Sequence, residues 1–533
     1  MRARTGTLAK AARYDVAIVG YGPTGAVLAN LLAICGLRVL VLEREVGIYP
    51  LPRAVHFDDE TMRVFQTIGI AEALRHKIRV NPGMQFVDKA GEMLLDWPRP
   101  QKITPQGWHA SYRFHQPDLE VLLRQSLHSR SNVTVKTATE MLGLEQGPDQ
   151  VAIQCHDIAS GDLFVETACY VVGCDGARSA VRAAMGAVME DLGFHQSWLV
   201  VDVLLKREMP ELGDHSVQFC DVERPMTYCR SPQNRRRWEI TMQPGETAQD
   251  MTDPDRVWHF LSRWITPEDA DLERSVVYTF RSALAENWRK DRLLLAGDAA
   301  HLTPPFMGQG MCSGIRDAAN LAWKLTLELR GQAAPGLLDS YTQERRPHMR
   351  AYIETAIDLG HLINSIDREN AESPEADRPQ DTSKMASITP CLGEAGARCF
   401  DLANSPQCGK LFGQPSLGQP VIETDQPTPH TSDAPQKLDD CAGYRPVVIT
   451  RKPLKPASTA GQGPLFLDAQ THPALSAALD SLGVNAVLIR PDRYILATAT
   501  SDLEISALVK ADVPSPLALP DVFNRVQFGR LWR

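Results

Sequence analysis

The sequence predicts an α/β fold with two separate sheets and a small terminal α/β unit. Three observations carry this. A strand, a glycine turn, a helix and a second strand follow one another from Tyr14; alternating apolar and polar segments run from about Gly193 to Phe280; and composition turns polar and proline-bearing near residue 366 before new short apolar runs begin. At 533 residues the chain exceeds one core, with about 150 residues per domain as a guide.

"DVAIVG" is the short apolar run of a buried parallel strand. "GPTGAVLANLLAICG" has helical spacing, with Leu28, Leu31 and Leu32 among its apolar positions, and "LRVLVLER" is a second strand ending in charge, which makes a βαβ start. From about Leu51 to Ala90 the pattern reads as helical and polar, and "QPDLEVLLRQSLHS" as an amphipathic helix with Pro117 in its first turn. "VKTATEMLGLEQGPDQVAIQCHD" and "FVETACYVVGCDG" read as antiparallel strands returning to the first sheet. "SWLVVDVLLK", "HSVQFC", "RRRWEITMQPGE" and "RSVVYTF" read as a second sheet with one covered face. "RLLLAGDAA" is a further parallel-type strand, and "GIRDAANLAWKLTLELRG" a long helix with Ile315, Ala319, Ala322, Leu325 and Leu329 on one side. The expected units are 14–190 and 283–365 as one domain in two parts, 191–282 as the second sheet, 366–400 as a linker, and 401–533 as a terminal domain.

The bulk numbers exclude several functions. An apolar fraction of 43% with 23% charged residues is that of a globular protein, and a net charge of −9 gives no nucleic-acid footprint. No apolar stretch approaches the ~20 residues of a membrane span. The basic first 13 residues lack an apolar h-region and read as a short tail. Eleven cysteines without a CxxC pair and fourteen histidines without HxxxH or HExxH spacing predict buried thiols in a reducing cytoplasm, with no disulfide framework and no metal.

"GYGPTG" places Gly20, Gly22 and Gly25 in GxGxxG spacing between a strand and a helix, the context that gives the pattern meaning. Gly20 permits the tight turn, Gly22 lets a pyrophosphate approach the backbone, and Gly25 lets helix and strand pack closely. Glu43, at the end of the second strand, is placed to accept hydrogen bonds from an adenosine ribose. The polar helical segment that follows is unlike a hydride-transferring dehydrogenase, which would continue βαβαβ. "VVGCDGARSAVR" sets Asp175-Gly176 after a strand. In "LLLAGDAAH" Asp298 stands directly behind an apolar run, where a buried carboxylate needs a partner.

GxGxxG, then a DG motif, then a GD motif resembles the single-component (group A) FAD-dependent aromatic hydroxylases, and within them the 3-(3-hydroxyphenyl)propionate hydroxylases. "PRAVHFDDETMRVFQTIGI", "GQGMCSGIRDAANLAWKL" and "LIRPDRYILATA" carry the finer likeness. The resemblance implies a Rossmann-like, p-hydroxybenzoate hydroxylase-like FAD domain, a β-sheet substrate domain and a C-terminal thioredoxin-like domain, which without CxxC has no dithiol chemistry. It implies FAD as bound cofactor and NADH or NADPH as co-substrate. Asp298 would bond a ribityl hydroxyl, Pro304 and Pro305 would shape the wall beside the flavin ring, and the helix opening near Gly308, Gly310 and Met311 would face the ring edge that turns anionic on reduction. Pro23, Thr24, Arg44 and Gly297 join the implied cofactor set. Arg53 would lie near the flavin, and Gln116 by the ribityl or phosphate region. Asp175 would govern flavin and nicotinamide handling, a strand-end cap being its rival reading.

The implied reaction is ortho-hydroxylation of a phenol to a catechol with O2, on 3-(3-hydroxyphenyl)propionate or 3-hydroxycinnamate, by a cytoplasmic monomer or homodimer; resorcinols, hydroxyquinolones and larger phenols are alternative substrates. His56, His115, His301 and Tyr228 are open candidates for the proton path, with His301 expected behind the GD turn. Arg53, His56, Tyr228, Pro304 and Pro305 are the expected catalytic set, and Arg224, Arg230 and Arg235–Arg237 the possible partners of a substrate carboxylate. A flavin-binding protein without catalysis and a flavin halogenase are the rivals; the WxWxIP motif of the latter is missing from the sequence.

Overall fold

A computed structural model of the chain describes residues 13–221, 223–365, 388–400, 402, 405–418, 436–452, 463–510 and 513–517. The expected N-terminal tail and most of the expected linker lie outside the described residues.

In chain order the elements are β1 (Tyr14–Val19), α1 (Pro23–Ile34), β2 (Val39–Leu42), β3 (His56–Asp58), α2 (Asp59–Ile68), α3 (Ala71–Arg75), β4 (Arg79–Val80), β5 (Gly83–Val87), β6 (Met93–Pro98), β7 (Ser111–Arg113) and α4 (Gln116–His128). There follow β8 (Val133–Lys136), β9 (Thr139–Gln146), β10 (Val151–Asp157), β11 (Leu163–Gly173), α5 (Ala180–Met185), β12 (Met189–Leu205), β13 (Ser216–Phe219), β14 (Met226–Arg230) and β15 (Arg235–Thr241). Then come α6 (Ala248–Met251), α7 (Pro254–Leu261), β16 (Ala270–Ala285), β17 (Arg289–Lys290), β18 (Leu293–Leu295), β19 (His301–Leu302), α8 (Gly310–Leu329) and α9 (Ser340–Ser365).

The first sheet runs β17-β18-β11-β1-β2-β8, with β10 and β9 antiparallel beside β11. β1 pairs in parallel with both β2 and β11, and β18 in parallel with β11, so the βαβ start and the "LLLAG" strand fall as the sequence predicts. β1 and β2 are apolar on both faces because helices cover both.

The second sheet runs β19-β16-β12-β15-β14-β13-β5-β6. Its last two strands come from Gly83–Val87 and Met93–Pro98, and β5 joins β13 in parallel. The sequence pattern up to Ala90 reads as helical because α2 and α3 dominate it; Gly83 and Pro98, breakers at the hairpin ends, hide a strand pair whose partner lies far along the chain. One face of this sheet is closed by α6 and α7 through Leu199, Val201, Trp238, Met251, Val257 and Leu261.

α8 differs from the amphipathic helix expected. It is buried all round from Cys312 to Leu327, polar residues included. Ion pairs make this possible, Arg316 with Asp58 and Glu60, Asp317 with Arg345, and Lys324 with Glu344, together with the hydrogen bond of His301 to Asp317. After residue 436 a four-stranded mixed sheet forms from Leu465–Asp468, Val447–Thr450, Ala486–Ile489 and Ile495–Ala499 in that order. "LIRPDRYILATA" spans its antiparallel pair. All eleven cysteines are free.

This unit docks through charge. Asp439 is fully buried between Arg63 (2.7 Å) and Arg493 (2.9 Å), and Arg490 reaches both Glu344 (2.7 Å) and Asp492 (2.5 Å). Against the cost of burial, Arg63 and Arg493 hold Asp439 at about 2, and Arg490 and Lys324 do the same for Glu344. An unfolded carboxyl titrates near ~4. The two folded values lie below it, so the contribution is complete above pH ~4 and is lost as pH falls toward ~2. We expect an acid limb of thermal stability in that window, less steep in Asp439→Asn. Asp439→Ala leaves two buried guanidinium groups without their shared partner and should lower unfolding free energy by about 3–5 kcal/mol, read from a denaturant titration.

Candidate active site

The three sequence motifs meet at one place. Gly20 leaves β1 at φ +103°, and a Cβ there would stand 2.4 Å from the Cys174 carbonyl oxygen, the residue before Asp175. A Cβ on Gly25 would come within 2.1 Å of the Gly20 oxygen, whereas one on Gly22 would meet nothing within 4 Å. Two glycines therefore close the turn against the DG strand and the third faces open space. Thr24, next along α1, reaches the GD motif: a Cβ on Gly297 (φ +63°) would lie 2.7 Å from its Oγ1, and one on Gly314 of α8 2.2 Å from the same atom. Pro23 occupies the first turn of α1, whose start carries no side-chain cap.

Glu43 follows β2 and accepts the N–H of Tyr21 at 2.7 Å and of Glu45 at 2.9 Å, which fixes its carboxylate beside the glycine turn. Arg44 is exposed and pairs with Glu45 at 3.2 Å. Behind the GD turn, Asp317 accepts the Gly297 N–H at 3.0 Å and His301 Nε2 at 2.7 Å. His301 is fully buried there, as the sequence predicts.

Asp298 departs from the expected burial. Its side chain is open, yet enough protein surrounds it that burial raises its pKa, with His301 and Arg53 opposing. Open access with strong desolvation describes a carboxylate facing a recess rather than one sealed in a core. Arg53 stands on the same recess. Gln116 Oε1 accepts the N–H groups of Arg53 (3.0 Å) and Ala54 (2.8 Å), and its Nε2 donates to Glu120 at 2.8 Å. Gln116 thus positions the Arg53 segment.

Pro304 is buried and extended (φ −60°, ψ 154°), Pro305–Met307 make one tight turn, and Gly308 is left-handed at φ +64°. A Cβ on Gly308 would press on the His56 ring at 2.9 Å from Nδ1. α8 then opens at Gly310 and Met311 with no side-chain cap from Gln309. His56 Nε2 lies 2.8 Å from Ser111 Oγ, which also accepts from Asn81 at 2.9 Å. Burial, then the charge of Arg113, lowers the pKa of His56 to about 3, so the ring is neutral at working pH.

Other expected residues are placed elsewhere. Tyr228 pairs with Trp238, which pairs with Val201, on the face covered by α6 and α7; its ring lies 5.0 Å from that of Trp238, inside the apolar core. Side chains alternate along a strand, so Tyr228 points away from the recess, and this corrects its place among the catalytic candidates. Asp175 Oδ2 accepts the N–H groups of Ala180 (2.7 Å) and Val181 (3.1 Å), the cap geometry of its rival reading, while its Oδ1 is buried without a hydrogen-bond partner. His115 lies 3.2 Å from Asp118 at the start of α4. Arg224 pairs with Glu246, Arg235 stands 3.8 Å from Glu273, and Arg230 and Arg236 donate to carbonyls near Gln233. Arg237 is buried against Asp202 at 2.7 Å and donates to the Pro52 and Arg53 carbonyls.

The last contact belongs to a set that sequence reading missed. Arg237, Asp202 and Arg274 cradle the Pro52–Arg53 backbone from the second sheet. Phe306 packs on Phe194 and Trp198, with ring centroids 5.5 and 5.9 Å apart. The available signal was Asp202 itself, the one charge inside the apolar run "SWLVVDVLL".

An open glycine turn at an uncapped helix start, a carboxylate after β2, a carboxylate facing the recess and a second uncapped helix start fit FAD, whose diphosphate, ribose, ribityl chain and ring edge need those donors and acceptors. Fold and site define a flavoprotein of the Rossmann-like kind. The chain belongs to the FAD binding domain family, which it matches over residues 13–356. It is 41% identical over 529 residues, 95% of this chain and 96% of the relative, to a probable NADH-specific resorcinol 4-hydroxylase of Rhodococcus jostii (strain RHA1). It is 38% identical over 356 residues to the 3-(3-hydroxy-phenyl)propionate/3-hydroxycinnamic acid hydroxylase of Paraburkholderia xenovorans (strain LB400), an alignment covering 66% of this chain and 56% of that protein. In fold it is similar to the flavin-dependent monooxygenase PieE (TM-score 0.74, 21% identity, 93% of this chain and 98% of the other) and to OxyS anhydrotetracycline hydroxylase from Streptomyces rimosus (0.70, 26%, 93% and 98%). The p-hydroxybenzoate hydroxylase-like architecture is that of the chain. Among the described residues no helix is long and apolar enough to cross a membrane, and no cluster of three or more His, Cys, Asp or Glu could hold a metal.

Gly22→Val and Gly25→Ala should separate two roles. The first adds atoms in open space, so the protein should fold but purify with little FAD, read from its 450 nm-region absorbance. The second presses on backbone and should lower the melting temperature as well. Asp298→Ala should weaken FAD roughly tenfold to a hundredfold, read by FAD titration of the apoprotein.

Proposed function

We propose that the chain is an FAD-dependent monooxygenase that hydroxylates a phenol beside its hydroxyl group, converting phenol, NAD(P)H, a proton and O2 to catechol, NAD(P)+ and water. The substrate reading is 3-(3-hydroxyphenyl)propionate or 3-hydroxycinnamate, in the degradation of aromatic compounds. The observation that carries the reading is the convergence of the GxGxxG, DG and GD motifs on Thr24 and Gly20, beside a recess that the second sheet overlooks.

FAD, when bound, would supply the redox chemistry that links nicotinamide oxidation to O2. The chain's own residues bind, orient and exclude water. Gly22 and the start of α1 would hold the diphosphate, Glu43 the ribose and Asp298 the ribityl chain. The start of α8 would stabilise negative charge at the ring edge. Pro304, Pro305 and Arg53, held by Gln116 and Arg237, would wall the ring. Of the four proton-path candidates, His56 is assigned the role, since its neutral ring adjoins the Gly308 loop and continues to Ser111 and Asn81. The cofactor is assigned to 14–190 and 283–365, and the substrate to 191–282 together with the β5–β6 hairpin. We place the reaction in the cytoplasm, in a monomer or homodimer, with eleven free thiols in support.

A second reading, hydroxylation of resorcinol, is favoured by the end-to-end alignment with the Rhodococcus relative. The test is NADH and NADPH oxidation by the purified yellow protein over a panel of phenols, with products identified by mass. The expected result is stimulation by 3-(3-hydroxyphenyl)propionate with a 2,3-dihydroxy product. Tight coupling to resorcinol with a poor response to the acid would replace the first reading by the second. Flavin reduction without any hydroxylated product would reject both.

A further inference from the structure

Arg113 carries a buried charge that no contacting carboxylate answers; Glu239, which stands against Arg237, acts on it only through the wider field. Arg113 ends β7 at 8% exposure, and its Nη2 donates to Ser216 Oγ at 2.8 Å, but its Nε is buried without a hydrogen-bond partner. Among the described residues no carboxylate forms an ion pair with it. The neighbouring face of the second sheet holds Arg237, Arg274, Asp202 and Glu239. Asp202 pairs with both arginines, and Glu239 stands 3.7 Å from Arg237. Three guanidinium groups therefore share two carboxylates, and the pairing leaves Arg113 over. Directly across the β3–β7–β4 ladder it meets His56 on one side and Arg79 on the other. Arg79 is tied to Asp214 at 2.7 Å, and His56 is neutral. Arg99 adds to the positive field: burial and then Arg113 depress it to about 10.

A desolvated cation whose nearest carboxylate is shared and out of contact is unfavourable, and a charge-assisted hydrogen bond from an incoming oxyanion would relieve it. What adjoins Arg113 fixes the kind of anion. His56 links it to the Gly308 loop, and the Arg99 guanidinium lies 4.1 Å over the Trp97 ring. Trp97, Leu95, Phe306 and Met307 are half-open apolar side chains packed around buried Phe86. An aromatic ring fits that lining, with an acidic group directed at the cation.

We propose that Arg113 anchors the carboxylate of an acidic phenol whose ring lies against Trp97 and Phe306, and so sets a preference for a phenol with a carboxylate side chain over a neutral one. The assignment rests on the hydroxylase reading above. FAD-loaded wild type, Arg113→Met and Arg113→Lys are titrated with 3-(3-hydroxyphenyl)propionate and with its amide, following the flavin absorbance change on binding and, separately, NADH oxidation with product mass. Arg113→Met should raise Kd and KM for the acid roughly tenfold to a hundredfold and leave the amide nearly unchanged, with kcat at saturation retained. Arg113→Lys should recover part of the acid binding. Should Arg113→Met not fold, Ser216→Ala, which removes the hydrogen bond orienting Arg113, carries the same acid-against-amide comparison. Unchanged acid binding, equal losses on acid and amide, or an acid that does not bind the wild type would each overturn the proposal. Acid held through Arg113 without hydroxylated product would sink the hydroxylase reading and leave the anchor. Resorcinol turnover without acid binding would do the reverse.

Discussion

Asp317 is the interaction on which the arrangement depends. One carboxylate oxygen takes the Gly297 N–H and His301, and the other takes Arg345 at 2.8 Å. The group is fully buried, yet His301 and Arg345 outweigh the cost of burial and keep its pKa below the usual carboxylate value. A strand end, the GD turn, α8 and α9 are thereby fixed to one atom pair. Gly297 can then press on Thr24, which fixes the turn to α1. The recess keeps its shape because α8 is held from inside by charge, on a helix with no solvent-facing side between Cys312 and Leu327. Removing one partner of such a buried set leaves a desolvated charge, which is why these positions tolerate little change.

The first sheet was legible because its signals are local. "DVAIVG", the glycine spacing and "LRVLVLER" sit within about thirty residues, and Gly20 and Gly25 each have a geometric reason to be glycine. The cofactor side of the site was legible for the same reason. The substrate side was not. Alternation along "PMTYCR" says that Tyr228 and Cys229 point oppositely, but not which face α6 and α7 will cover. Arg113 offered no signal either, since its singularity lies in what fails to pair with it in space. Asp298 was found but misjudged, because a strand-end carboxylate reads the same whether a core or a recess lies before it.

The terminal unit, expected to carry no dithiol chemistry, is tied to the helices around the site. Its buried ions reach α2, α8 and α9, the elements carrying Glu60, Arg316 and Glu344. Tyr494 donates to Glu60 at 2.6 Å, and Glu60 in turn pairs with Arg316 at 2.5 Å, two turns into the helix that opens at the recess. Partners 146 to 434 residues apart leave no periodic trace, so sequence shows the unit and not its attachment. Its cysteines remain thiols without a CxxC pair, which fits support of α8 rather than redox work.

The β5–β6 hairpin has a consequence for descent. It is encoded before β8 of the first sheet, yet it completes the second by lying parallel to β13. The second sheet is therefore not a cassette. A recombination that exchanged only 191–282 would bring in a β13 cut for another neighbour and strand the resident hairpin without its mate, exposing two unpaired edges at once. New specificities on this scaffold must then arise by point changes on both segments, or by crossovers that carry a stretch long enough to include much of the cofactor domain as well.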